Sequence, residues 1–248
     1  DMTAQRPMQA LYRIEVQAAD TGWTPALASA AGDIWDTVGD FNRAVAYWEL
    51  AANMRPDDAV MARGLAQAYL EQGRWSQAVI SLSRVVDLSD DHWAHFQLGI
   101  LQSVYDPRAA TEHFNLAARD PQFQGVVTAL LPALDEASDI ARAMRVGTIL
   151  ATRSYWPAAE YVFQYAASMT PLLPEALAYM GIARDQQGKD GGVQIEKAVA
   201  VAPNSAQVRY LQGIHFQLIH NADASLQALT LAASLDPLNP AYAAELGT

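Results

Sequence analysis

The sequence predicts an all-α chain, a solenoid of stacked helical hairpins, on three observations. Small residues recur along it like marks on a ruler: Gly32, Ala66, Gly99, Gly147, Gly181, Gly213 and Gly247 are separated by 34, 33, 48, 34, 32 and 34 residues. Around the marks, apolar residues return at helical spacing, as in Ala28, Ala31, Gly32 and Trp35 and again in Ala44, Trp48 and Ala51. Both runs follow a 3.6-residue period and not the alternation of a strand. Proline then falls at a fixed place after the second run, at Pro56, Pro171, Pro203 and Pro237, where a helix interior cannot continue.

Each column of the ruler has a packing reason. Three residues past the marks stand Trp35, Tyr69, Gln102, Leu150, Arg184 and Phe216. Ala44, Ala78, Ala110, Ala159 and Ser225 open the second helices, followed by Trp48, Leu82, Phe114, Phe163, Ile195 and Leu229. A Gly or Ala at the mark lets two helices approach, and a large side chain one turn on fills the space beside it. Between the paired helices, Gly39 and Gly73 supply a left-handed exit. Asp106-Pro107 reads as a cap followed by proline at the first helical position, and Trp156-Pro157 is similar. Pro121 comes one place early, and Asp90 stands where the second unit would carry its proline.

The elements follow in order. Residues 1–22 are an N-terminal helix with Ala10 and Ile14 at second-helix spacing, a cap for the stack. Repeats cover 23–56, 57–91 and 92–122. The 48-residue step places an inserted helix at 123–139, kinked or opened by Pro132. Repeats resume at 140–173, 174–205 and 206–239, the second of them shortened by Gly188 to Gly192. Residues 240–248 begin a further repeat. The whole of 1–248 is expected to be one solenoid.

Composition narrows the function. Of 248 residues 51% are hydrophobic, which excludes a disordered chain. Sixteen basic and 27 acidic residues give a formal net charge of −11, which opposes binding to nucleic acid or anionic lipid. There is no cysteine, hence no disulfide, thiolate nucleophile or Cys-based zinc site. No stretch approaches the roughly 18–20 apolar residues of a spanning helix. The chain opens on Asp1 and not Met, which points to a piece of something longer, with a signal or anchor upstream. The expectation is a soluble segment, cytoplasmic or extracytoplasmic, with the compartment left open.

These columns resemble the tetratricopeptide repeat, whose pattern is W-x2-L-G-x2-Y, then A-x3-F, then A and P. The matches are Gly32-x2-Trp35 with Ala44-x3-Trp48, Ala51 and Pro56, and Gly147-x2-Leu150 with Ala159-x3-Phe163, Ala166 and Pro171. Leu98-Gly99 and Leu246-Gly247 carry the L-G pair, and the likeness runs from about Trp23 to Thr248. The consensus Trp is absent throughout, replaced by Ala28, Ala62, His95, Ala143, Leu177 and Arg209. Gln102 and Arg184 stand where a ring is usual, so packing there should be looser.

The resemblance implies a right-handed superhelix with a concave groove that binds a protein or peptide. Carried over position by position, the groove falls on Arg63, Gln67, Trp93, Phe96, Ile100, Met144, Arg145, Tyr179, Ile182, Tyr210, Ile214 and Gln217, with Asp33, Asp36, Thr148 and Asp185 alongside. Trp93, Phe96, Ile100, Tyr179, Ile182, Tyr210 and Ile214 would make it apolar, a surface that anchors a peptide or helix. The same surface would be consumed if the extra helix or the chain's own end filled it. The Lys/Asn/Arg clamp by which some family members hold a C-terminal carboxylate is missing: only Arg63, Arg145, Gln67 and Gln97 stand there.

Other chemistry finds little support. Asp90, Asp91, His92 and His95 fall within six residues, but an Asp there serves to cap the next helix. His215 and His220 are five apart and do not share a face, and Glu112-His113 reads as a solvated pair. There is no G-x-S-x-G elbow, P-loop or H-E-x-x-H. The expectation is therefore a non-catalytic interaction scaffold with no cofactor, metal or catalytic residue. Two rivals stay open: self-assembly through open repeat ends, giving a homo-oligomer, and a small-ligand or enzymatic role in the irregular zone around Pro132.

Overall fold

The computed structural model describes residues 2–170 and 173–244. Pro171 of the proline column, and Leu246 and Gly247 at the C-terminal end, lie outside the described residues. The described residues form helices without strands, so the chain is all-α, a helical repeat of the solenoid class. It divides into two compact units, Asp1–Gly99 with His113–Pro121, and Ile100–Glu112 with Gln122–Thr248.

The first unit opens with α1 (Met2–Thr21), then the hairpins α2 (Pro25–Val38) with α3 (Phe41–Met54) and α4 (Ala59–Glu71) with α5 (Trp75–Leu88). Local chemistry sets the helix ends. The Thr24 hydroxyl accepts from the Leu27 N–H at 3.3 Å, with Pro25 at the first helical position. Gly39, at φ 84°, ends α2, and its N–H and that of Asp40 return to the Asp36 and Trp35 carbonyls, both at 2.9 Å. The Asp40 carboxylate then caps α3 through the Arg43 N–H at 3.1 Å, so one residue stops a helix and the next starts another.

Two glycines form a slot for Trp48. A Cβ on Gly32 would stand 2.7 Å from that ring, and one on Gly64, from the neighbouring hairpin, 2.2 Å. The N-terminal helix is sealed by the same core, for Leu11 is buried with Ala31, Trp35 and Ala44, and Ile14 packs against them. Ala10 is exposed and takes no part.

Helices α6 (His92–Gln102) and α7 (Pro107–Ala117) each give one part to each unit. In the first unit, Gly99 lies against Phe114, and the Phe96 and Phe114 rings stand 6.1 Å apart at 51°.

The second unit continues with α8 (Pro121–Leu130), which buries Phe123, Val126, Val127 and Leu130 on one face. A 3-10 turn, Leu131–Asp135, follows where Pro132 ends the α-helical ladder. Then come α9 (Asp139–Thr152) with α10 (Trp156–Met169), α11 (Pro174–Asp185) with α12 (Gly192–Val201), α13 (Ala206–Leu218) with α14 (Ala222–Leu235), and α15 (Pro240–Ala244). The mark-against-ring contact repeats as Gly147 on Phe163 and Gly213 on Leu229. In the shortened hairpin, Gly181 meets the Gly191 carbonyl oxygen and Ile195. Ser225 replaces alanine in its column because its hydroxyl donates to the Gly213 carbonyl at 3.0 Å.

Candidate functional site

The wall positions carried over from the resemblance fall in both units. In the first, Arg63 and Gln67 lie on α4 and Trp93 and Phe96 on α6. The Arg63 guanidinium sits 4.5 Å from the centre of the Trp93 ring and pairs with Asp91. Asp91 also caps α6 through the Ala94 N–H at 2.9 Å, which makes it the capping aspartate. Gln67 donates to Glu71. This face is polar, and its one half-buried indole is covered by a cation. Phe96 is fully buried: its ring is spent against Phe114 and offers a partner nothing. That corrects the apolar wall expected here.

In the second unit Ile100 and Ile182 are likewise buried, and their contribution to an apolar wall is corrected in the same way. Each lies one helical step from the exposed line, and the adjacent helices close over it. Tyr179, Tyr210 and Ile214 remain half-buried, against a core of Ala178, Ile182, Ile195, Ala198, Val208 and Leu211. The Tyr179 ring stacks on Phe163, with centres 5.1 Å apart and planes at 14°. Its hydroxyl accepts from Gln207 Nε2 at 3.0 Å, and the Tyr242 hydroxyl of α15 donates to Gln207 Oε1 at 2.8 Å. Tyr242 also lies 5.1 Å from the Tyr210 ring. Burial first, then the neighbouring Tyr242 and Tyr210, pushes the Tyr179 phenol upward, which keeps it a neutral hydrogen-bonding group.

Met144 and Thr148 are half-buried, while Arg145 and Gln217 are exposed, Arg145 being paired with Glu136. Asp185 does not face a groove. It accepts from the Gly191 N–H at 3.0 Å and meets His215 Nδ1 at 2.7 Å, with both side chains buried.

Sequence reasoning missed several polar groups that hold the fold at these places. Arg142 is buried and donates to the Ser103, Val104 and Glu136 carbonyls while pairing with Asp139. Glu160 gathers Arg184, Gln187 and Lys189, at 2.9, 2.8 and 3.1 Å. Arg184, in the column expected to be loose, is thus tied by charge in place of a ring. His113 is not a solvated residue: its Nδ1 lies 2.8 Å from that of buried His95. Among the described residues no three His, Cys, Asp or Glu gather as metal ligands, and no helix is long and apolar enough to cross a membrane.

Comparison with a family model agrees with the repeat over part of the chain. Residues 38–98 match the tetratricopeptide repeat family model. No curated protein sequence matches the chain. Among solved structures, a tetratricopeptide repeat protein from Parabacteroides merdae is 14% identical over 100% of this chain and 98% of its own, with a TM-score of 0.44. The C-terminal part of a repeat protein from Cytophaga hutchinsonii is 12% identical over 97% of this chain and 95% of its own, with a TM-score of 0.42. YrrB, described as having an unusual peptide-binding site, is 16% identical over 81% of this chain and 98% of its own, with a TM-score of 0.39. The segment 38–98 is thus similar to the tetratricopeptide repeat, and the small residue seated against a large side chain recurs in five hairpins.

Proposed function

We propose that the chain is a non-catalytic scaffold that captures a short peptide or helix along the first-helix face of the second unit. The observation that supports this is the half-buried tyrosines Tyr179 and Tyr210 with Ile214, and the exposed Gln217 on the same helix as Tyr210 and Ile214. Tyrosine held at ring height by packing loses little side-chain freedom on binding. The first unit supports a lesser role, since its one large wall ring is already occupied by Arg63.

The test is to pan a displayed library of random 16-residue peptides against the purified chain and to measure the selected peptides by fluorescence polarisation. Tyr210→Ala with Gln217→Ala should weaken the selected peptides about thirtyfold, the effect of losing one anchor worth about 2 kcal/mol. Helical circular dichroism should be retained. Peptides that bind the variant as tightly as the native chain, or a library that yields no binder, would refute the proposal.

A further inference from the structure

One carboxyl pair in the first unit carries buried oxygens without a donor. Asp36, on the last turn of α2, and Glu71, the last residue of α4, meet side chain to side chain. Asp36 Oδ1 and Glu71 Oε2 are closed to solvent and find no donor in the protein. Two ionised carboxylates have acceptors only, so such a contact is a hydrogen bond only if one of them carries a proton. We propose that Asp36 and Glu71 share a single proton, and that this proton latches α2 to α4, so the first unit loosens when it is lost.

The surroundings favour the proton. Glu71 Oε1 accepts from Gln67 Nε2, leaving Oε2 for Asp36. From α2 itself, Asp33 adds negative charge; burial, then Asp36, raises it above the ordinary aspartate range. From α3, Arg43 is engaged elsewhere, lying 4.3 Å from the Trp35 ring centre and pairing with Asp40, and Glu49 takes the Tyr69 hydroxyl at 2.7 Å. From the α4–α6 side, Arg63 is held by Asp91. Arg74, at the start of α5, acts on Tyr69. Neither Asp36 nor Glu71 is in an ion pair among the described residues. Burial first, then the hydrogen bond to Asp36, pushes Glu71 up to about 7 from an ordinary 4.5. A proton retained by the folded chain up to about 7 but released by the unfolded chain near 4.5 stabilises the fold most in acid. That contribution is lost as pH rises between these values.

Two measurements on the whole chain test this. In a carbon-13 titration of the native protein, the Glu71 carboxyl should have its midpoint near 7. In melting curves, Glu71→Gln supplies an amide N–H to Asp36 at every pH. The variant's advantage over the native chain should therefore be small at about pH 5 and grow by several degrees at about pH 8. Comparing the two chains cancels the opposite trend from His95, which burial lowers. A Glu71 midpoint at the ordinary carboxylate value, or melting curves that stay parallel across this range, would overturn the proposal. If the variant does not fold, the native titration decides alone.

Discussion

Gly99→Ala asks directly whether the small-residue marks exist to admit a ring. A Cβ built on Gly99 would stand 2.5 Å from Phe114 Cδ1 and 2.6 Å from Cε1. Ordinary van der Waals contact begins near 3.4 Å, so the ring must retreat by roughly 1 Å. It has nowhere to go, because Phe114 and its neighbour Phe96 are both fully buried. Forcing a methyl into a filled core costs about 1–3 kcal/mol. Replacing a mid-helix glycine returns about 0.5–1 kcal/mol. Taken at the middle of both ranges, the net loss is about 1.25 kcal/mol, a drop of about 2.5–5 °C at about 2–4 °C per kcal/mol for a chain of this size. Gly125→Ala is the control. It lies inside α8, exposed, and its Cβ would meet only Arg153 Nη1, at 3.6 Å. That variant keeps the helix gain without the clash and should melt about 1–4 °C higher. Both are read by circular dichroism at 222 nm during heating and in urea. If Gly99→Ala stabilises as Gly125→Ala does, the steric account of the marks is wrong.

Ser154 and His220 occupy the place that Gly39 and Gly73 fill in other hairpins, with φ of 61° and 60° against 84° and 69°. Ser154→Gly and His220→Gly should therefore each stabilise the chain by about 0.5–1 kcal/mol, visible as a higher urea midpoint, since a side chain there strains the left-handed backbone; a lower midpoint in either would contradict the column. Arg142→Met keeps the apolar stem but leaves the Ser103 and Val104 carbonyls without their donor. It should cost about 2–4 kcal/mol, and an unchanged denaturation midpoint would show that the guanidinium is dispensable.

What the sequence made legible is what the chain decides within about one hairpin. The contact of Gly32 with Trp48, or of Gly147 with Phe163, links residues 16 apart, and the turn between them leaves few ways to join two helices. Composition and spacing alone therefore predicted the pairing. The cap at Asp106 was readable for the same reason, since it satisfies an N–H three residues on. The polar ties were not readable. Arg142 reaches Ser103 across 39 residues, and Asp185 reaches His215 across 30. No local pattern tells which charged side chain a neighbouring hairpin will close over.

The wall failed for a related reason, and the failure bears on function. Helical periodicity marks a broad apolar stripe but not the line within it where the next helix stops covering. Phe96, Ile100 and Ile182 lie inside that line; Tyr179, Tyr210 and Ile214 lie across it. An apolar residue covered on both sides stabilises the stack and cannot recognise anything, so truncating Phe96 would report on folding alone. Residues that straddle the line are fixed by the core on one side and open on the other. A partner would meet tyrosines already ordered, with the ordering cost carried by folding and not by binding. That is the physical ground for testing Tyr210 and Gln217 ahead of the larger rings.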